Sequence, residues 1–172
     1  MNDSLRMQRF LDEFLRTYEA NAAANGEPGH ERAAVRVVHA AYTALGRADL
    51  EAFTATLADD VVFECLGPPH SAIAGRWQGR DEVVQAVLRN FSKFADQCPE
   101  LEHVVARGDS VLVVAEETGR YVPTGEAYDV WWLQAFVVKD GKIVRVRQSA
   151  SGAGPWEAKA DAGVHASDAP AR

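Results

Sequence analysis

Cysteine is scarce in the 172-residue sequence: Cys65 and Cys98 are the only two, and they do not form a C-x-x-C pair. Two such thiols cannot build a disulfide framework or a cysteine-based zinc or redox site, so we expect both to be reduced. Basic residues are also few, because 18 lysines and arginines stand against 25 aspartates and glutamates and leave a net charge of -7. A nucleic-acid surface needs an excess of positive charge, so this balance argues against binding of nucleic acid.

Long apolar runs are absent too. No stretch approaches the roughly eighteen apolar residues of a membrane span. The charged N-terminus, with Asp3, Arg6 and Arg9, lacks the apolar block of a signal peptide. We therefore expect a cytoplasmic protein that binds no membrane. The H-E-x-x-H, G-x-S-x-G and glycine-rich phosphate-loop motifs are also missing, and we expect neither a metal nor another cofactor.

The overall composition is that of a globular domain, with 47% hydrophobic and 25% charged residues. Residues 3–24 carry apolar side chains at helical spacing, which predicts an amphipathic helix, and turn residues at 25–29 end it. We treat 1–30 as an N-terminal helix and linker that docks on the main domain or on a second subunit. Residues 151–172 are rich in Ala, Gly, Asp and Ser with one aromatic residue, Trp156, so we predict a mostly disordered tail.

Between these ends, residues 31–150 change their hydrophobic period once. Helical stripes come first, over 35–45 and 50–57, and a third helix is predicted to begin near Asp81. Alternating runs predict strands at 61–66, 101–107, 111–122, 127–138 and 142–150. Helices followed by an antiparallel meander indicate an α+β fold with the helices packed on one face of a sheet.

The adjacent residues Trp131 and Trp132 must point to opposite faces of their strand, so one of them lies away from the helices. The run 130–138 is apolar on both faces apart from Gln134, which indicates that the outer face is also covered. Either a partner subunit or the N-terminal helix could cover it. We expect a homodimer formed through the outer sheet face.

Four strings, taken in order, resemble one superfamily: GRADLEAFTATLADDVVFE, GRDEVVQAV, ETGRYVPTGEAYDV and FVVKDGKIVRVR. Region 31–150 is similar to the small cone-shaped α+β proteins named after nuclear transport factor 2. They include the SnoaL-like polyketide cyclases, ketosteroid isomerase and limonene-1,2-epoxide hydrolase. The resemblance implies a cone-shaped, curved antiparallel (mixed) sheet with three helices on its concave face, plus the N-terminal helix. It also implies a conical apolar pocket, although such a scaffold hosts isomerases, hydrolases, cyclases and inert binding modules.

The resemblance to ketosteroid isomerase breaks down at the reacting groups. That enzyme uses an aspartate base and an oxyanion hole made by a tyrosine and a protonated aspartate. Cys65 takes the position of the base, and strand alternation turns the neighbouring Glu64 to the other face unless a bulge intervenes. Gln134 falls near the oxyanion aspartate and Tyr42 near the oxyanion tyrosine. We therefore do not expect steroid isomerisation by that route.

The resemblance to limonene-1,2-epoxide hydrolase implies an Asp–Arg–Asp set assisted by an asparagine. Aligned through the shared PTG turn, these four positions are occupied by Glu117, Ala115, Gln148 and Cys65, respectively. Only the first keeps its chemical character. Because an amide cannot shuttle a proton at neutral pH, we do not expect that relay either.

Glu117 is the candidate catalytic acid or base. It neighbours Glu116 on one strand, so one of the two must face the helices, and the PTG register selects Glu117. A carboxylate in an apolar pocket can act as an acid or as a base. The alternative is that residue 117 lies near the strand end, where it is solvated or paired with Arg120 or Arg147.

The other candidates are polar and aromatic groups. Gln134 and Gln148 interrupt apolar strands, so their amides bind either a ligand or each other, and we place Gln148 beside Glu117 as catalytic. The candidate ligand-binding residues are Tyr42, Phe63, Cys65, His70, Trp77, Trp132, Gln134 and Phe136. The aromatic members could equally be core residues.

Two of these candidates, His70 and Trp77, belong to a Gly- and Pro-rich loop predicted to cross the mouth of the cone. Cys65 could act as a nucleophile only with a base beside it, such as His39 or His70. Otherwise it is a small buried residue.

Two functions follow. The first is a SnoaL-like enzyme that performs isomerase, cyclase or hydrolase chemistry on a small, largely hydrophobic molecule, with Glu117 as the ionisable group and Gln134 and Gln148 orienting the substrate. The second is a module that binds a ligand in the same pocket, or a protein partner on the Trp131 face, without chemistry.

Overall fold

The computed structural model describes residues 3–25, 29–68, 71–150 and 154–156. The described residues form these elements: α1 (Asp3–Asn25), α2 (Gly29–Gly46), α3 (Leu50–Ala55), β1 (Leu57–Leu66), β2 (Gly75–Gln78), α4 (Arg80–Phe91), β3 (Phe94–Arg107), β4 (Ser110–Tyr121), β5 (Ala127–Lys139) and β6 (Lys142–Ala150). The strands make one sheet in the order β2-β1-β6-β5-β4-β3. Neighbouring strands run antiparallel, except that β1 and β6 run parallel. The fold is therefore α+β, as predicted, with a mixed sheet that is not closed.

Local sequence signals account for several element ends. The side chain of Asp49 caps α3 by accepting a hydrogen bond from the backbone N–H of Ala52 at 2.9 Å. Asp81 in the first turn of α4 suits the positive end of the helix dipole. The two-residue turn Asp140-Gly141 joins β5 to β6. No helix among the described residues has the length and apolar character that crossing a membrane requires.

Three strands differ from the sequence-based prediction. β1 begins at Leu57, which was predicted to belong to the preceding helix, rather than at residue 61. β2 lies in the segment that was expected to be a loop, and it pairs Trp77 with Phe63 of β1. β3 begins at Phe94 rather than at residue 101, and its first half contains Pro99 and register shifts on either side of it. These bulges break the alternating pattern on which the prediction relied. A proline is tolerated there because β3 is an edge strand.

Helix α1 packs on the helix-covered face of its own chain. Phe10 and Phe14 are 2% and 0% exposed, and the Phe14 ring lies 5.6 Å from the rings of both His39 and Tyr42 in α2. The Phe10 ring lies 6.3 Å from that of Trp132. This helix was expected to dock on the main domain or on a second subunit, and in the structure it packs on the main domain.

The outer face of the sheet carries Trp131, whereas Trp132 is buried on the helix side, as strand alternation predicted. Trp131 is 37% exposed, and its indole N–H donates to a carboxylate oxygen of Glu102 at 2.9 Å. Because α1 lies on the opposite side, it does not cover this face.

Candidate functional site

A pocket of about 170 Å³ lies between the sheet and the helices, with a mostly apolar wall. Eight of the ten candidate site residues line it: Tyr42, Phe63, Cys65, Glu117, Trp132, Gln134, Phe136 and Gln148. Trp77 lies behind this wall, with its ring stacked on that of Phe63 at 5.3 Å. His70 falls outside the described residues.

Glu117 brings a carboxylate into the apolar wall. Its Oε1 atom accepts hydrogen bonds from the Tyr128 hydroxyl at 2.6 Å and from Gln97 Nε2 at 3.0 Å. Its Oε2 atom accepts one from the Trp132 indole N–H at 3.1 Å. All three donors are neutral, and an ionised carboxylate can accept at both oxygens. The side chain is thus fixed in direction by uncharged partners.

Strand geometry explains why Glu117, and not Glu116, faces the pocket. The two neighbours point to opposite sides of β4, where Glu116 is exposed and Glu117 is half-buried. Gly119 lies opposite Tyr128 in the β4–β5 register. A Cβ atom at position 119 would stand 2.5 Å from the Tyr128 hydroxyl oxygen, so the glycine gives this side chain the room to reach Glu117.

The arginines considered as partners of Glu117 are engaged elsewhere. Arg120 pairs with Asp96 at 3.1 Å, and Arg147 pairs with Glu64 at 2.6 Å. The hydrogen bond from Arg147 holds the pKa of Glu64 below its usual value. Glu64 therefore belongs to an ion pair on the outside of the sheet. It is not among the described residues that line the pocket.

Besides Glu117 and its donors, the pocket wall holds a second polar cluster, which is a hydrogen-bonded chain of three side chains. The Tyr42 hydroxyl donates to Gln134 Oε1, and Gln134 Nε2 donates to Gln148 Oε1 at 2.8 Å. The β5–β6 register places the two glutamines directly opposite each other. The sequence left two alternatives for these amides, a ligand or each other, and in the structure the two glutamines bind each other. The Gln148 Nε2 group has no hydrogen-bond acceptor among the described residues.

The two pocket tyrosines are donors at neutral pH. Burial raises the pKa of Tyr42 and of Tyr128, and the negative charge of Glu117 raises both further. The hydrogen bond that Tyr128 donates to Glu117 acts in the same direction. Both hydroxyls therefore keep their protons, and Glu117 is the group in this constellation that can carry charge.

Residues 38–146 match the model of one family, the SnoaL-like domain. The chain belongs to this family. Among solved structures, an NTF2-like protein from Burkholderia xenovorans LB400 is 26% identical with a TM-score of 0.62, and the match covers 70% of this chain and 91% of that one. The superfamily predicted from the four sequence strings is confirmed.

Two further structures resemble this SnoaL-like domain in fold. A protein from Jannaschia sp. CCS1 named as a SnoaL-like polyketide cyclase is 18% identical, with a TM-score of 0.63 over 72% of this chain and 89% of that one. An LEH-like epoxide hydrolase from M. tuberculosis is 24% identical, with a TM-score of 0.56 over 70% and 84%. At these identities the likeness establishes the fold alone. No curated protein matches the chain.

Cys65 of the SnoaL-like domain is a protonated thiol at neutral pH. Burial raises its pKa to about 11, although the charge of Lys93 acts in the opposite direction. The His39 ring makes a hydrogen bond with the carbonyl oxygen of Leu11 at 3.2 Å and packs on Phe14. His39 is thus held by α1 rather than beside the thiol, which fits the interpretation of Cys65 as a small buried residue.

Several residues of the pocket wall were not among the predicted site residues, and they include Phe10, Gln97, Tyr128 and Trp156. Tyr128 closes the PTG-x-x-Y string, so the motif itself pointed to it. Gln97 lies in the bulged half of β3, where no period is visible. Trp156 is 5% exposed although it belongs to the predicted tail. Residues 151–153 and 157–172 of that tail lie outside the described residues.

Proposed function

We propose that this pocket binds a small, largely hydrophobic molecule and that Glu117 removes a proton from it. The observation that carries the proposal is the carboxylate of Glu117, placed in an apolar wall and held by Tyr128, Gln97 and Trp132. A fixed carboxylate in a partly desolvated site is suited to general acid–base catalysis. Such a group can promote isomerisation or ring closure without a cofactor.

The glutamine chain supplies the complementary donor. Gln148 lines the pocket with its Oε1 atom engaged by Gln134, which leaves its Nε2 group as the donor for an oxygen atom of the substrate. Removal of a proton next to a carbonyl group shifts negative charge onto the carbonyl oxygen, and donors aimed at that oxygen stabilise the charge. Tyr42 orients this donor through Gln134. The proposed substrate therefore carries both an acidic hydrogen and a carbonyl or hydroxyl oxygen.

The size of the pocket restricts this substrate further. An apolar cavity of about 150 Å³ holds a benzene molecule. The pocket, at about 170 Å³, is only slightly larger. The proposed substrate is accordingly built on a single ring, which argues against a four-ring steroid.

The second candidate function is binding without chemistry. Ala115 and Gln148 occupy the positions where the epoxide-hydrolase resemblance implies an arginine and an aspartate, so two members of that relay are uncharged here. This observation supports a module in which Glu117 only accepts a hydrogen bond from the ligand.

A thermal-shift screen tests the binding proposal. The panel contains single-ring phenols, cyclic enones and monoterpene epoxides, with steroid enones as larger comparisons. A ligand at a hundredfold its dissociation constant stabilises the fold by about 2.7 kcal/mol, so we expect a single-ring compound to raise the melting temperature by several degrees. Glu117→Ala should abolish this shift, because it removes the acceptor.

Glu116→Ala is the matched control for this screen. It removes a neighbouring carboxylate of the same strand, but from the exposed face, so its ligand-induced shift should equal that of the wild type. A ligand that shifts both variants equally would place its binding site away from Glu117. A panel without hits would contradict the proposal.

We also propose that two copies pair through the outer sheet face. On β4 and β5, apolar side chains occupy its middle: Leu112, Val114, Leu133 and Ala135. One end of the face carries Glu100 and Glu116, and the other carries Arg107 and Arg145. When a second copy packs face to face with its strands reversed, each acidic end meets a basic end. This self-complementary charge supports a two-fold dimer.

Leu112→Glu is expected to convert this dimer to a monomer, because the change buries two uncompensated charges at the two-fold interface. Leu5→Glu makes the same substitution at a 64% exposed position of α1 and should leave the dimer intact. Size-exclusion chromatography with light scattering distinguishes a particle of 18.7 kDa from one of twice that mass. A wild type of 18.7 kDa at micromolar concentration would exclude the interface.

A further inference from the structure

Trp156 is part of the pocket wall although it comes from the segment after β6. It is 5% exposed and lines the pocket. Its ring meets those of Phe94, Tyr121 and Tyr128 at centroid distances of 5.4, 6.1 and 5.3 Å, all edge to face. Trp156, Phe94 and Tyr128 thus line one part of the pocket with Tyr121 packed against them, and Tyr128 holds Glu117.

Two backbone features fix the position of this indole. The carbonyl oxygen of Trp156 accepts a hydrogen bond from the backbone N–H of Ala72 at 2.9 Å, which ties the segment to the stretch before β2. A Cβ atom at position 154 would lie 2.3 Å from the indole ring, so the ring packs directly on the backbone of Gly154. Any larger residue at 154 would push the indole from its place.

We propose that Trp156 determines the largest molecule that the pocket admits, and this inference rests on the proposed function of the pocket. The indole occupies space that is continuous with the cavity, next to the side chain that orients the catalytic carboxylate. With the indole in place the cavity suits a single ring. Without it, the pocket extends toward Phe94 and Tyr121 and accepts a second fused ring.

Isothermal titration with two neutral phenols tests the inference. The probes are 4-methylphenol, with one ring, and 2-naphthol, with two. The wild type is expected to bind 4-methylphenol at least tenfold more tightly than 2-naphthol. Trp156→Ala should reduce this preference at least tenfold, mainly by improving the binding of 2-naphthol. Trp131→Ala, which removes a tryptophan from the outer face, should keep the wild-type preference.

Gly154→Ala provides a second variant that retains the indole. Because the added Cβ displaces the ring, we expect its selectivity to change in the same direction as that of Trp156→Ala. The inference would be overturned if Trp156→Ala and Gly154→Ala both kept the wild-type ratio of affinities for 4-methylphenol and 2-naphthol.

A measurement without a ligand separates this inference from the proposed function. In a Cys98→Ser background, Cys65 of the pocket wall is the remaining thiol. Its rates of modification by methyl and by benzyl methanethiosulfonate report how large a reagent reaches the pocket. Trp156→Ala should raise the benzyl-to-methyl rate ratio at least tenfold, and Trp131→Ala should not change it.

The two measurements fail in different ways. If neither phenol binds any variant while the rate ratio rises in Trp156→Ala, the size restriction stands and the proposed ligand chemistry is wrong. If the phenols bind but the rate ratio and the selectivity are both unchanged, Trp156 does not set the size limit.

Discussion

Replacing Phe14 with alanine is expected to lower the free energy of unfolding by about 3–5 kcal/mol, the usual cost of deleting a buried phenylalanine side chain. Phe14 is 0% exposed and packs between His39 and Tyr42. For a chain of this length, the melting temperature should fall by roughly 6–20 °C. Thermal and urea denaturation measure both quantities. Because Tyr42 also orients the glutamine chain, ligand binding should weaken in this variant.

Leu5→Ala is the control for the Phe14 variant. Leu5 lies on the same helix but is 64% exposed, so its truncation should change stability by no more than about 0.5 kcal/mol. If the two variants had the same stability as the wild type, α1 would not be part of the folded core in solution.

Glu117→Gln is expected to reduce the turnover of a substrate found in the screen by about 10²–10⁴-fold, the usual contribution of a general acid or base. The amide has nearly the shape of the carboxylate but cannot accept a proton from the substrate at neutral pH. Ligand affinity should therefore change much less than kcat. One of the three donors now faces an amide N–H group, so a small loss of stability is expected as well.

Glu116→Gln is the companion variant, and it should leave both kcat and KM unchanged because its side chain points to the exposed face. A ligand that binds equally well to wild type and Glu117→Gln, and that is recovered unaltered after long incubation, would decide for the second candidate function. Binding and catalysis are thus separated by a single pair of variants.

Local signals in the sequence were sufficient for much of the fold. Apolar spacing located α1, α2 and α4, and the alternating runs located β4, β5 and β6 because these central strands have few irregularities. Strand alternation also predicted that Trp131 and Trp132 face opposite ways, and the PTG register placed Glu117 on the pocket side of β4. Each of these inferences depends on neighbours within a few residues.

The features that the sequence did not reveal depend on distant partners. An amphipathic stripe shows that α1 buries one face, but it does not show that the partner is Trp132 of β5. Similarly, Trp156 stands in a polar segment whose composition predicts disorder, but it packs against Phe94, Tyr121 and Tyr128 and accepts a hydrogen bond from the backbone of Ala72. The three donors to Glu117 come from β3 and β5, and Gln97 is in a bulge without a period.

The parallel pairing of β1 with β6 determines when the protein can finish folding during its synthesis. β1 is made early, but its pairing partner toward the centre of the sheet is β6, the last strand among the described residues. Until β6 has left the ribosome, the β1–β2 hairpin has no sheet to join and its hydrogen-bonding edge stays open. Contacts of such long sequence separation slow folding and expose apolar surface meanwhile. A nascent chain that stalls before Lys142 therefore leaves the pairing edge of β1 open.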